Sequence, residues 1–99
     1  MEEWRPLPLE PKYEISSHGR IRRAADKRLL SPYRDRGYLT IVITTKGRRR
    51  FFRVHRLVAM TFLGPAPSPN HVVAHRDGNG FNNQLSNIRW STEIGRAHV

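Results

Sequence analysis

Cysteine is absent from this chain of 99 residues, which excludes a disulfide framework and any thiolate zinc site and fits a reducing compartment. No apolar run approaches the roughly 18–20 residues that span a bilayer. The opening MEEWRPLPLEPKY also lacks the basic-then-apolar order of a secretory signal. The chain is therefore expected to be soluble and intracellular, without a membrane partner. Acids are scarce: 8 Asp plus Glu stand against 18 Lys plus Arg, for a net charge of +10. Lysine is scarce too, since 15 of those 18 cations are arginine. Between Ile15 and Met60 thirteen basic residues meet only Asp26 and Asp35. A surface charged only for solubility would intersperse Lys with Glu. An arginine excess instead favours a phosphate-bearing partner, because the guanidinium fork matches phosphate oxygens and base edges. No basic amphipathic helix with a broad apolar face accompanies the charge, so nucleic acid is favoured over an anionic membrane surface. The length fits one small domain with a modest core.

Periodicity predicts mostly strands. KYEISSHGRIRR sets Tyr13 and Ile15 on one face and offers His18-Gly19 as a turn, which predicts a short hairpin. KRLLSPY predicts another short strand, stopped by Pro32. GYLTIVITT alternates Leu39, Ile41 and Ile43 with Tyr38, Thr40, Val42 and Thr44, and Lys46-Gly47 allows a tight reversal into RRRFFRV. A two-stranded ribbon bearing arginines fits the DNA major groove. Arg48, Arg49, Arg50 and Arg53, with Arg20, Arg22 and Arg23, are thus the candidate contacts to double-stranded DNA. VHRLVAMTFLG changes to a helical period of two to three turns, ended by Gly64-Pro65. The connector GPAPSPN then leads to a strand HVVAH, a loop RDGNGFNN and a segment NIRWS. The last residues, EIGRAHV, are what GAG ATC GGA AGA GCA CAC GTC encodes, and those nucleotides match a common sequencing-library adapter. Residues 93–99 are accordingly expected to be an artefact appended to a truncated reading frame.

Several site chemistries fail on spacing. His71 and His75 are four apart, but on a strand four residues span about 13 Å, too far for one zinc ion. DGNGFN from Asp77 begins like a calcium-binding loop, yet the sixth and twelfth positions are Asn82 and Ile88 rather than Gly and Glu. No glycine run precedes Gly-Lys-Ser/Thr, and no Gly-x-Ser-x-Gly elbow is present. What remains is a histidine at a strand end, an Asp two residues on, and an Asn-rich loop reaching Asn87. That set suits phosphodiester hydrolysis. A neutral imidazole accepts a proton from attacking water near neutral pH, a divalent ion stabilises the leaving oxygen, and Asn side chains pin an irregular loop. Taken singly, His75 is equally well a strand-end histidine with satisfied hydrogen bonds, Asp77-Gly78 a turn, and Asn82, Asn83 and Asn87 a loop.

Together, RVHRLVAMTFLG and HVVAHRDGNGFNNQLSNIRWST resemble the HNH homing endonucleases common in bacteriophages. Those read V-H-R-L-V-A-x-x-F, then a strand ending in His, then D-G-N-x-x-N-N-x-x-x-N-L-x-W. Upstream, EEWRPL, YEISSHGRIRR, LLSP and GYLTIVI resemble the modular segment often placed before such nucleases, so the likeness covers residues 2–92. The resemblance implies an α+β chain: a β-rich, basic DNA-contact segment over 1–53, then a helix and an incomplete ββα-metal nuclease unit over 54–92. It implies one divalent ion, expected to be magnesium, beside a general base at His75, with Asn87 bracing the loop. His55 matches a characteristic family histidine, in phosphate contact or support of the site, with core packing as the alternative. Leu85, Ile88 and Trp90 are expected in the core. Water attack would nick or cut the duplex, leaving a 3′-hydroxyl and a 5′-phosphate, and the protein is expected as a phage-encoded monomer in the bacterial cytoplasm.

Two departures from the pattern stand out. Members often carry a metal-binding Asp immediately before the base, where this chain has Ala74. Asp77 is the candidate replacement ligand, because residues two apart on a strand share a face. A helix after W-x-T would normally bring a further Asn or His ligand. If residues 93–99 are adapter that helix is missing, and Arg96 cannot replace the ligand. The rival reading is a DNA-binding module or regulator that has lost catalysis. An RNA-binding ribosomal-type protein explains the charge but not HRDGNGFNNQLSN.

Overall fold

A computed structural model describes residues 1–92, so the expectations for 93–99, including the adapter tail, the missing helix and Arg96, lie outside the described residues. The architecture is α+β and strand-rich. Strands β1 (Trp4–Leu7), β2 (Glu10–Ser16) and β3 (Ile21–Arg23) form one antiparallel sheet in that order. Strands β4 (Tyr33–Asp35), β5 (Tyr38–Thr45) and β6 (Arg48–Arg53) form a second. A helix, α1 (Val54–Val58), runs on into a π-helical turn over Ala59–Leu63, and β7 (His71–His75) pairs antiparallel with β8 (Ile88–Thr92).

The second sheet follows from its turns. Arg36-Gly37 and Lys46-Gly47 both carry positive φ at each residue (53° and 85°; 53° and 74°). That is the two-residue reversal whose twist matches paired strands, and it sets Asp35 opposite Tyr38 and Thr45 opposite Arg48. Strand β5 lies in the middle, with Ile41 and Ile43 buried on one face.

Two local expectations are corrected. KRLLSPY is not a strand: Leu29 makes only a single bridge to Arg22, and pairing resumes at Tyr33, after Pro32. Lys27 turns the chain with φ 60°, and Pro32 has no N–H to extend a ladder. Strand β1 is an element the sequence patterns did not name, and it contains Pro6. It is tolerated there since β1 pairs on one side only, with β2. The helical period is right in extent, from Val54 to Leu63, but its second half widens to i→i+5 spacing, which a 3.6-residue pattern does not reveal.

All three sheets and the helix contribute to one core. Leu7, Ile15 and Ile21 come from the first sheet, Ile41 and Ile43 from the second, Val54, Leu57 and Val58 from α1, and Val73 and Ile88 from the third. Leu85 and Trp90 pack at its margin, the Trp90 indole N–H donating to the Gly64 carbonyl (3.3 Å). The basic front segment and the rear unit therefore meet through apolar side chains. Replacing Ile15, fully buried, by Ala is expected to cost roughly 2–5 kcal/mol in denaturant unfolding. A loss confined to the front sheet, with the helix and β7–β8 unfolding separately and unaffected, would contradict a shared core.

Candidate active site

The β7–β8 hairpin holds the candidate chemistry. Its strands pair from His71 opposite Thr92 to His75 opposite Ile88, and the connecting loop leaves the sheet at His75. Asn87 organises that loop. Its side-chain amide donates to Asp77 Oδ1 (2.9 Å) and to the Asn82 carbonyl (2.8 Å), while its Oδ1 accepts from the Asp77 N–H (3.1 Å). Its main-chain carbonyl accepts from the Arg76 N–H (2.8 Å). A buried amide with both ends occupied fixes the loop more firmly than a turn propensity alone.

Asp77 does not share a face with His75, because strand pairing ends at His75 and Asp77 lies in the following turn. Its carboxylate faces the loop instead, accepting from the Asn79 N–H (2.8 Å), the Asn82 amide (2.9 Å) and the Asn87 amide. Bonds from Asn82, then Asn79, then Asn87 hold the Asp77 carboxyl at about 2, below its ordinary 3.8. A depressed carboxylate stabilises the fold above its ordinary value and loses that contribution as pH falls through the folded one. Hydrogen exchange at the Asn79 and Asn82 amides is therefore expected to quicken as pH drops from 3.8 towards 2, after correction for intrinsic exchange. Asp77→Asn should remove that dependence.

His75 sits where three rings meet. Its centroid lies 5.0 Å from that of His55 and 6.0 Å from that of Tyr38, and His55 and Tyr38 are 5.0 Å apart. His55, from α1, is buried and packs against both of the other rings. His75 Nε2 lies 2.8 Å from Asn83 Oδ1. On its open side His75 lines a cleft of ≈ 450 Å³ together with Arg36, Tyr38, Ala74, Arg76 and Arg89. A second cleft of ≈ 300 Å³ on the other side of Tyr38 is lined by Arg53, His55 and Arg56. The described histidine is thus flanked by cations, with no Asp or Glu lining either cleft.

The arginines named from sequence divide into two groups. Arg48, Arg49 and Arg50 are exposed and make no ion pair among the described residues. The others are engaged with acids. Arg20 grips Glu2 through two nitrogens and holds that carboxyl at about 2. Arg22 bonds Glu14 (2.8 Å) and stacks over Trp4 at 3.8 Å, Arg23 pairs with Asp26, and Arg53 bonds Thr40 Oγ1 and the Asp35 carbonyl. Sequence reasoning passed over Arg36, Arg76, Arg89 and Tyr38, which line the cleft. Arg76 directly follows His75 and Arg89 lies opposite Ala74, so only the strand register could have found the pair.

A metal site does not assemble among these side chains. No group of three or more His, Asp or Glu is arranged to hold an ion among the described residues. Ala74 presents a methyl to the cleft, and the Asp77 carboxylate is occupied by the loop.

Comparison with known proteins bears directly on this arrangement. Residues 2–44 match the NUMOD4 motif, and residues 52–94 match the HNH endonuclease family. "Uncharacterized HNH endonuclease L245" of Acanthamoeba polyphaga mimivirus is 38% identical over 89 residues, covering 90% of this chain and 27% of that protein. "DNA endonuclease I-HmuI" of Bacillus phage SP01 is 34% identical over 93 residues, covering 92% of this chain and 53% of that protein. A solved structure described as "DNA binding and cleavage by the HNH homing endonuclease I-HmuI" superposes with a TM-score of 0.85 at 31% identity, over 97% of this chain and 56% of that one. The chain therefore spans little more than half of these relatives at most. The front sheet thus falls in the NUMOD4 match and the His75 hairpin in the HNH endonuclease match, and a solved HNH homing endonuclease shares the fold over 97% of this chain.

Proposed function

We propose that this chain is the DNA-contacting and cutting portion of a homing-type endonuclease, hydrolysing phosphodiesters of double-stranded DNA with His75 as general base. One observation carries the proposal: His75 has one ring nitrogen tied to Asn83 and lines a cleft edged by Arg36, Arg76 and Arg89. The arginines hold a backbone phosphate through charge-assisted bonds. His75 accepts a proton from water as its oxygen attacks phosphorus, the bond from phosphorus to the 3′-oxygen breaks, and that oxygen takes a proton from solvent, leaving a 3′-hydroxyl and a 5′-phosphate. His55 and Tyr38 back the imidazole, and Asn87 holds the loop that follows it. The protein acts as a monomer, in the cytoplasm of a phage-infected cell. The exposed Arg48–Arg50 tip contacts DNA.

HNH nucleases generally use a divalent metal. The described side chains do not fit one; magnesium remains the expected ion. The same lack favours the second reading, a DNA-binding module without catalysis. Nicking of supercoiled plasmid with magnesium or manganese separates the two. Ala74→Asp places a carboxylate on the cleft wall beside His75 and is expected to raise metal-dependent nicking by about tenfold or more, since magnesium relies on well-placed oxygen ligands. No nicking by either form, with duplex binding intact, would establish the binding module.

A further inference from the structure

The NUMOD4 segment reaches the candidate base through Asn83. We infer that the turn between β2 and β3 is a positioning device for His75, acting through the Asn83 side chain; this rests on His75 being the base. The chain of contacts begins at Ser16, fully buried, whose hydroxyl accepts from the main-chain N–H groups of His18 and Arg20 (both 3.1 Å) and closes the turn. Its neighbour Ser17 offers a carbonyl to the Leu85 N–H (2.7 Å), fastening the Asn-rich loop to the turn.

Gly19 then presses on Asn83. It stands at φ +84°, and a Cβ there would lie 2.8 Å from the Asn83 carbonyl oxygen and 2.9 Å from the Asn83 Cβ. Both the backbone conformation and the space thus demand glycine. Held from that side, Asn83 is 4% exposed and directs Oδ1 at His75 Nε2.

The consequence is a choice of tautomer. An amide oxygen only accepts, so Nε2 must carry the hydrogen, and Nδ1 is left with the lone pair a base needs. The arrangement is kept at a cost, because Asn83 Nδ2 is buried without a hydrogen-bond partner. An apolar side chain would avoid that cost, and the task of the oxygen beside His75 accounts for the amide. The front segment is therefore part of the catalytic support as well as a DNA-contact surface.

Nitrogen-15 spectra of the His75 ring, taken on the whole chain at alkaline pH, test this without any need for cleavage. In the native chain Nε2 should give the protonated, pyrrole-type signal and Nδ1 the pyridine-type signal. Asn83→Asp keeps an oxygen acceptor and should preserve the pattern, whereas Asn83→Ala should average it towards a tautomer mixture. Gly19→Ala should shift the His75 signals in the same direction as Asn83→Ala. Should that variant lose the folded amide spectrum, Ser16→Ala, which removes the closing hydroxyl without adding atoms, should give a smaller shift of the same sign. In a nicking assay Asn83→Ala is expected to slow cleavage roughly tenfold to a hundredfold at unchanged DNA affinity, the size of a misplaced catalytic group. A pyridine-type Nε2 in the native chain overturns the inference, as does a His75 spectrum indifferent to Asn83→Ala or, in folded protein, to both turn variants. Full nicking by His75→Ala with the predicted spectra would instead remove the general-base reading and leave the positioning of the ring standing.

Discussion

His75→Ala is expected to lower metal-dependent nicking by about 10²–10⁴-fold, the range that a positioned general base supplies, while duplex affinity stays within about threefold. The separation of the two effects follows from where the imidazole sits. It lines the cleft, but the charge that would hold phosphate belongs to Arg36, Arg76 and Arg89 around it. Removing the ring takes away a proton acceptor and leaves the cations in place. Single-turnover nicking at saturating DNA, with affinity measured separately by titration, reads both. Cleavage near the native rate would show that another group activates water. A parallel fall in affinity and rate would mean that His75 holds the duplex or props up the three-ring cluster. His55→Ala provides the contrast: it should lower the unfolding midpoint as well as the rate, because that ring is buried against the other two.

Affinity itself should respond steeply to salt. If about six phosphates are neutralised, raising salt from 50 to 200 mM should weaken duplex binding about 10³-fold, through release of condensed counterions. The structure decides which arginines carry that slope. Arg48, Arg49 and Arg50 have no acidic partner among the described residues, so Ala at all three should reduce the slope by about three contacts. Arg20→Ala should reduce it little, since its charge is already met by Glu2 through two hydrogen bonds. A flat salt response would remove the electrostatic reading. A response carried mainly by Arg20 and Arg22 would mean that DNA displaces Glu2 and Glu14 from their partners.

These contrasts mark how far the sequence was legible. Strand β5 and its reversal at Lys46-Gly47 were plain, because β-branched alternation and an X-Gly turn agree with the tertiary environment. So was the run from helix to hairpin, where period, Gly64 and the His75 loop each marked a boundary. Strand β1, with a proline that an edge position tolerates, was not named by the patterns. In the site, the strand end at His75 could be read from local pattern. The turning of the Asp77 carboxylate into the loop could not, since it depends on three amides converging from Asn79, Asn82 and Asn87. Charge counting likewise gave the total and missed its division. Glu2 and Glu14 come from separate stretches of chain and reach Arg20 and Arg22 only once the first sheet has formed, whereas Asp26 meets Arg23 locally, three residues on.

The core shared by all three sheets has an evolutionary consequence. Segments that travel between genes are often pictured as beads exchanged along a string. Here Leu7, Ile15 and Ile21 in front meet Val54, Leu57 and Val58 behind in one apolar cluster. A front segment grafted from another gene must arrive with side chains that interlock with the recipient helix, or the chimera will be under-packed by several buried residues. Compatible exchanges should therefore preserve the volumes at these positions even where the basic exterior diverges freely. The unit of inheritance is then the paired surface, and the two halves are constrained to change together.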